Sequence, residues 1–283
     1  MRWVLEPDLD AFHGRVRSLL EARIENNVVA TVLSGTIDGQ FHAAPPVRAI
    51  GLDERGAVAA AAMRTTPWPM LCTGLGPGDA GGLLELWLEH DPELPGVSAP
   101  LDTAHAVAAP WARRTGGTTR CRTAMAMHAL ATVVDPPRPG PGRLVLASAD
   151  DRELALRWWS EFVVESHVVD GGPESRIIAV DSRIARRDLW LWEDEEAPVC
   201  MLAGNPAVAG AVRIGPVYTP PRSRRRGYAS SAVAGLSRHA LATGAHARML
   251  FTDLSNPTSN KIYADVGYRR IGEWEETEFT RPA

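Results

Sequence analysis

Four prolines and two glycines fall within eight residues at Asp135-Pro-Pro-Arg-Pro-Gly-Pro-Gly142. Proline has a fixed φ and no amide hydrogen, so such a run can continue neither a helix nor a central strand; it favours a stiff, extended connector. It cuts the 283-residue chain into 134 residues before and 141 after. Either length is enough for one hydrophobic core. The division predicts an N-terminal α/β domain over 1–134, a linker over 135–142 and a second domain over 143–283.

Behind the linker, Leu144–Ala147 is a short apolar run suited to a strand, and Asp150 with Glu153 three residues on marks a helix start. Leu154, Trp158 and Phe162 recur at i, i+4 and i+8, a helical core stripe. Ile177, Val180 and Ile184 predict a second helix ending near Arg186-Arg187. Leu189–Trp192 and Val199–Leu202 read as a hairpin across the acidic turn Glu193–Pro198. A strand over Ala209–Thr219, a helix over Gly227–Thr243 closed by Gly244, a strand over Arg248–Asp253, a helix near Thr258–Val266 and a strand pair around Tyr268–Thr280 follow. The order β-α-α-β-β-β-α-β-α-β makes a mixed α/β layer structure. The first half reads as a weaker echo. Its predicted helices are Leu9–Arg23, Asn27–Leu33, Gly82–His90 and Thr103–Thr115. Its predicted strands are Val47–Leu52, Ala57–Arg64, Trp68–Cys72 and one near Arg122–Val134.

Composition narrows the function. With 30 basic and 34 acidic residues the net charge is −4, which argues against a nucleic-acid binder. Any polyanion site must be local. The start meets acid and proline before any long apolar run, and no stretch of about 18 uncharged apolar residues exists, so neither a signal peptide nor a membrane span is expected. Cys72, Cys121 and Cys200 are odd in number and far apart, matching no disulfide framework or metal knuckle. The eight histidines show no H-x-E or H-E-x-x-H spacing, so no metal is expected. A cytoplasmic setting is the simple reading. Gly76-Pro-Gly-Asp-Ala-Gly81 fits G-x-G-x-x-G but reads as a loop, because Pro77 stiffens it and His90–Pro95 offers no second parallel strand.

The stretch that carries chemistry is Gly215-Pro-Val-Tyr-Thr-Pro-Pro-Arg-Ser-Arg-Arg-Arg-Gly-Tyr-Ala-Ser230. A strand ends, a turn stiffened by Pro220-Pro221 follows, and a helix begins at glycine. The first turn of a helix leaves four amides unpaired and points the positive dipole end outward. Gly227 and Ala229 lack bulk there, and Arg222, Arg224, Arg225 and Arg226 add positive charge, so a phosphate or pyrophosphate site is expected. Pro216 cannot donate to a strand ladder, so pairing should break or bulge at that point. The main chain of Val217, Tyr218 and Thr219 is then free for a ligand that carries amide groups. Further on, Asn256-Pro-Thr-Ser-Asn-Lys-Ile-Tyr-Ala-Asp-Val-Gly-Tyr268 opens a helix at Pro257 and ends it at Gly267, with Asn260 and Tyr263 on one face. The chain's one lysine, Lys261, lies between them.

Arg224-x-x-Gly227-x-Ala229 resembles the R/Q-x-x-G-x-G/A signature of the GCN5-related N-acetyltransferase (GNAT) superfamily. Asn260-x-x-Tyr263 followed by Gly267-Tyr268 resembles its second motif, with a shorter spacing than the fullest form. The resemblance covers roughly residues 143–283. It implies a mixed-sheet GNAT fold, the N-terminal half being a degenerate copy, and acetyl transfer from acetyl-CoA to a primary amine in a ternary complex, without metal. By the same resemblance, the main chain of Val217, Tyr218 and Thr219 holds the pantetheine arm, an amide there polarises the thioester carbonyl, and Arg224, Arg225, Arg226, Gly227, Tyr228, Ala229 and Ser230 cradle the pyrophosphate. Asn260 binds the cofactor's arm and Tyr263 protonates the departing thiolate. The acceptor is a small-molecule or peptide amine, and the protein a monomer or homodimer. The base that deprotonates the amine stays open, with Asp253, Ser255, the Glu193–Glu196 turn and a water relay as candidates. A non-catalytic acyl-CoA-binding sensor or partner-binding protein is the alternative.

Overall fold

The computed structural model describes residues 1–39, 47–76, 78–166, 171–208 and 210–282. Pro77 and the expected strand start at Ala209 lie outside them. One succession of ten elements occurs twice. The first copy is β1 (Arg2–Leu5), α1 (Leu9–Glu21), α2 (Asn27–Ile37), β2 (Val47–Leu52), β3 (Val58–Arg64), β4 (Met70–Thr73), α3 (Ala80–Leu88), β5 (Gly96–Pro100), α4 (Leu101–Thr115) and β6 (Thr118–Leu130). The second is β7 (Arg143–Leu146), α5 (Arg152–Ser166), α6 (Pro173–Arg186), β8 (Leu189–Asp194), β9 (Ala197–Gly204), β10 (Ala211–Tyr218), α7 (Tyr228–Ala242), β11 (Ala247–Asp253), α8 (Pro257–Val266) and β12 (Arg269–Thr280). The order predicted for the second half is thus the order of both. Patterning misses β1, only four residues long, and β5. Four of the five β5 residues are buried in succession, so the strand carries no period-two signal. β5 also overturns one of the grounds for reading Gly76–Gly81 as a loop, not the reading itself. A parallel strand does follow His90–Pro95, pairing Val97 and Ser98 with Met70 and Leu71 of β4.

The chain forms two compact units, residues 1–127 with 272–283, and residues 128–271. These bounds differ from the linker-based division, because the last strand joins the first unit. Trp274–Glu278 of β12 run antiparallel to Gly96–Pro100 of β5. The expected strand pair over Tyr268–Thr280 is one strand of 12 residues. Its glycine, Gly272, takes no positive φ, so nothing turns the chain there. In this unit β1 to β4 pair antiparallel in sequence order. The core gathers Trp87, Trp111, Leu83 and Phe279, with the rings of Trp111 and Phe279 stacked at 4.4 Å.

In the second unit β7, β8, β9 and β10 pair antiparallel in succession and β10 pairs parallel with β11. The β8–β9 hairpin closes on Glu195 and Glu196 alone, both at positive φ, so the expected six-residue turn shrinks to two as Glu193 and Asp194 join the ladder. One face packs Tyr228, Leu236, Tyr263 and Tyr268 around α7 and α8. The other packs Trp158, Trp159, Val180 and Tyr218 around α5 and α6. The Pro/Gly segment belongs to this unit. Phe279→Ala should therefore destabilise the first unit by about 3–5 kcal/mol through the lost stack and the cavity left behind. Urea unfolding followed through tryptophan fluorescence of the full chain measures this, and an unchanged midpoint would contradict the placement of β12.

Candidate functional site

β10 keeps β9 as a partner through Val217–Leu202 and Tyr218–Met201. It pairs with β11 only through Ala211, Val212 and Arg213, opposite Ala247, Arg248 and Met249. Ile214 stands opposite Gly204 and Val217 opposite Leu202, with a register shift between them. Gly215 and Pro216 therefore face a single residue of β9, a bulge at the residue that has no amide hydrogen to give. Past Arg213 the two parallel strands separate, and Val217, Tyr218 and Thr219 lie beyond that point.

Successive residues of β10 point to opposite faces. Val217 packs toward the α7 cluster. Tyr218 is buried on the α5 side, where its hydroxyl lies 3.0 Å from Glu161 Oε2 and 3.0 Å from Glu165 Oε1. One phenolic proton meets two carboxylates. Burial, then the hydrogen bonds to Glu165 and Glu161, push the Tyr218 phenol above its usual pKa, so it stays protonated. The Thr219 carbonyl accepts from Arg224 Nε at 2.8 Å.

A short 3-10 turn over Pro221–Ser223 leads into the arginine run. Arg225 has φ 66° and Gly227 φ 81°, so the chain turns twice through the left-handed region before α7. Ser231 N–H reaches the Gly227 carbonyl at 3.0 Å, but the amides of Arg225, Arg226, Gly227, Tyr228, Ala229 and Ser230 reach no backbone carbonyl among the described residues. Six free donors at a helix start fit the diphosphate that the motif predicts. Arg222, Arg225 and Arg226 are exposed and make no ion pair among the described residues. Arg224 is spent differently: it pairs with Glu165 and lies over the Tyr218 ring at 5.8 Å. Tyr228 is buried and donates its hydroxyl to Asp194, which leaves only its amide for a ligand.

α8 begins at Pro257, with the Asn256 side chain accepting from Ser259 N–H at 3.0 Å, and ends at Gly267, φ 103°. Asn260 is held locally, accepting from Thr252 Oγ1 at 2.5 Å and donating to the Asp253 carbonyl at 3.3 Å. It ties α8 to the end of β11 and has little left for a cofactor arm. Lys261 faces outward and pairs with Asp265 at 2.8 Å. Tyr263 is 8% exposed, edge-on to Tyr268 at 5.9 Å, with no hydrogen-bond partner for its hydroxyl among the described residues. Burial raises its pKa. Of the candidate bases, Asp253 is engaged by the amide and hydroxyl of Ser255, both at 2.7 Å.

Two carboxylates that the motifs do not point to are Glu161 and Glu165. Their signal is their position: Trp158, Glu161 and Glu165 fall at i, i+3 and i+7, on the side of α5 that carries the buried Trp158, with Glu161 half-buried and Glu165 exposed. Glu165 is matched by Arg224, whereas Glu161 has no cation partner among the described residues. Cys72 and Cys200 are buried, and burial raises both thiols, that of Cys200 to about 12. Exposed Cys121 is also raised, by desolvation and by Glu275. None is a ready nucleophile at neutral pH. Among the described residues no group of His, Cys, Asp and Glu could hold a metal, and no helix is long and apolar enough to cross a membrane.

The first unit carries the counterpart of this loop between β4 and α3, and it is closed. The Gly76 amide donates to Asp79 Oδ2 at 3.0 Å, and Trp3 Nε1 donates to the Asp79 carbonyl at 3.1 Å. The loop's Gly76 amide is thus taken by a carboxylate of the chain's own, although that side chain caps no amide of α3, and residues 65–112 contain no lysine or arginine.

Residues 202–279 match the model of the FR47-like protein family. No curated protein matches in sequence. By structure the chain is similar to a GNAT-family acetyltransferase from Colwellia psychrerythraea (10% identity, TM-score 0.59, all of both chains). It is also similar to a GCN5-related N-acetyltransferase from Sphaerobacter thermophilus (16% identity, TM-score 0.60, 100% of this chain and 97% of that one). A third likeness is to a tandem GNAT protein from the clavulanic acid biosynthesis pathway (11% identity, TM-score 0.58, 100% and 99%). At these identities the likeness establishes the fold: a mixed-sheet GNAT fold in two tandem copies. Calorimetric titration of the full chain with coenzyme A should give one site per chain. Two equal sites would contradict the closure of the first loop by Asp79.

Proposed function

We propose that the protein is an acetyltransferase, moving an acetyl group from acetyl-CoA to a primary amine by direct transfer, with the chemistry confined to the second unit. The observation that carries the reading is the separation of β10 from β11 beside six unpaired amides, with a protonated phenol on one face and an unmatched carboxylate on the other. Acetyl-CoA supplies an activated acyl group as a thioester. The amides of Arg225–Ser230, with the exposed guanidinium groups of Arg222, Arg225 and Arg226, hold its diphosphate. The main chain from Val217 to Thr219, on the side that β11 leaves, takes the amide-bearing arm as a neighbouring strand would, and an N–H there would polarise the acyl carbonyl. Arg224 and Asn260 act one step removed, shaping the turn after β10 and the end of β11.

The amine enters from the α5 face. A free alkylamine has a pKa of about 10.4 and its cation cannot attack, so a proton must leave first. Glu161, half-buried and without a cationic partner, attracts the ammonium and accepts that proton directly or through one water. The new bond joins nitrogen to the acyl carbon, the carbon–sulfur bond breaks, and the departing thiolate takes a proton from Tyr263 on the opposite face. Buried thiols with raised pKa values support direct transfer over an acyl-cysteine relay. The acceptor class is a small-molecule or peptide amine and the setting the cytoplasm, as monomer or homodimer.

Acetyl-CoA consumption over a panel of amines tests the reading; coenzyme A binding with no acetylated amine would overturn it in favour of a sensor. With an active amine, Tyr263→Phe should lower kcat about ten- to a hundredfold with unchanged coenzyme A affinity, and Glu161→Gln should lower kcat/KM for the amine about a hundredfold. Because burial raises the Tyr263 pKa, its deprotonation limb falls above about pH 10, the ordinary tyrosine value. The pH–rate profile should therefore show no descending limb below that point. A descending limb near neutrality would exclude Tyr263 as the acid.

A further inference from the structure

The Pro/Gly segment does more than join two domains. Its backbone lies against the turn before α7. Gly140 N–H donates to Ser231 Oγ at 2.9 Å, Trp192 Nε1 donates to the Pro141 carbonyl at 2.8 Å, and Arg238 pairs with Asp135. Two glycines make the close approach possible. A Cβ on Gly140 would stand 2.7 Å from a ring carbon of Tyr228, 2.8 Å from the Arg226 carbonyl oxygen and 2.9 Å from the Tyr228 nitrogen. A Cβ on Gly227 would overlap the Arg138 carbonyl oxygen and stand 2.7 Å from the Gly140 nitrogen. Gly227, at φ 81°, is thus required by the turn and by the segment behind it.

We propose that residues 138–141 are positioning residues for the anion loop: docked behind Arg226–Tyr228, they hold the left-handed turn at Gly227 and keep the six amides aimed outward. The inference rests on the proposed coenzyme A site and deepens it. A loop with unpaired amides lacks internal bonds to fix its shape, so it needs an outside support, and binding to a preformed loop avoids the cost of ordering it. The support comes from a segment about 90 residues earlier in the chain, with |i−j| of 91 between Gly140 and Ser231.

Two variants of the full chain act on the contact in different ways. Gly140→Ala pushes the segment away by bulk, and Ser231→Ala removes the hydrogen-bond acceptor without adding any. Both should speed hydrogen exchange at the amide of residue 231, which bonds the Gly227 carbonyl at 3.0 Å and so reports on the turn, and raise the calorimetric Kd for coenzyme A about tenfold. For an active amine, kcat and the KM of that amine should stay within about twofold of wild type. Trp192→Phe, which removes the donor to Pro141, should shift exchange and Kd in the same direction by less. Unchanged exchange and Kd in the first two variants, with wild type binding normally, would overturn the inference. So would an equal loss of kcat and affinity accompanied by altered circular dichroism, the mark of general misfolding. Failure of wild type to bind coenzyme A would count against the proposed function instead, while the exchange rates still decide whether the segment supports the loop.

Discussion

β10 keeps its hydrogen bonds to β9 as far as Tyr218 but gives up β11 after Arg213. A central strand pairs on both sides because an unpaired amide or carbonyl is expensive. Here the ladder is interrupted by Pro216, which has no N–H, and by the bulge that Gly215 and Pro216 make against β9. The free backbone that results gives a ligand with amide groups something to bond. It also sets out the chemistry, since alternation along the strand sends Tyr218 toward Glu161 and Glu165 while Tyr263 approaches from α8 on the other face. A thioester held between the separated strands would have a proton acceptor on one side and a proton donor on the other. That arrangement suits direct transfer without an enzyme-bound intermediate.

The tandem copies divide a common architecture into unequal chemistry. Both have a parallel strand pair joined by a helix, with a glycine-containing turn before the helix. In the second unit that turn is surrounded by arginine, and its amides are free. In the first, Asp79 accepts from the Gly76 amide, and 48 consecutive residues, 65–112, contain neither lysine nor arginine. A carboxylate at the start of α3 takes one loop amide and repels a second anion. The difference comes from local side chains; the backbone plan is shared.

Much of this was legible in the sequence where a residue's backbone demands are local. Pro216 marked the broken ladder, Gly227 the helix start, Asn256-Pro257 and Gly267 the two ends of α8, and the run of arginines the anion loop. What the sequence hid depends on partners distant in the chain. β5 carries no alternation because four of its five residues are buried in succession, so its parallel pairing with β4 shows only in the fold. β12 pairs with a strand some 175 residues away, as the Trp274–Ser98 bond with |i−j| of 176 illustrates, and no local pattern announces that. Gly227 reads as room for an anion, yet its missing side chain also makes room for Arg138 and Gly140. Asn260 reads as a cofactor ligand by motif, while its side chain is engaged by Thr252 and the Asp253 carbonyl. Glu161 and Glu165 belong to no motif, and only their spacing from the buried Trp158 places them on its side of α5.

A crystal structure of the full chain with coenzyme A tests the central claim most directly. The account predicts the diphosphate within hydrogen-bonding distance of the amides between Arg225 and Ser230, and the pantetheine amides against the main chain of Val217–Thr219. Its sulfur should lie between the Tyr263 hydroxyl and the Tyr218–Glu161 side. Coenzyme A bound elsewhere, or this loop and cleft empty at saturating ligand, would contradict it.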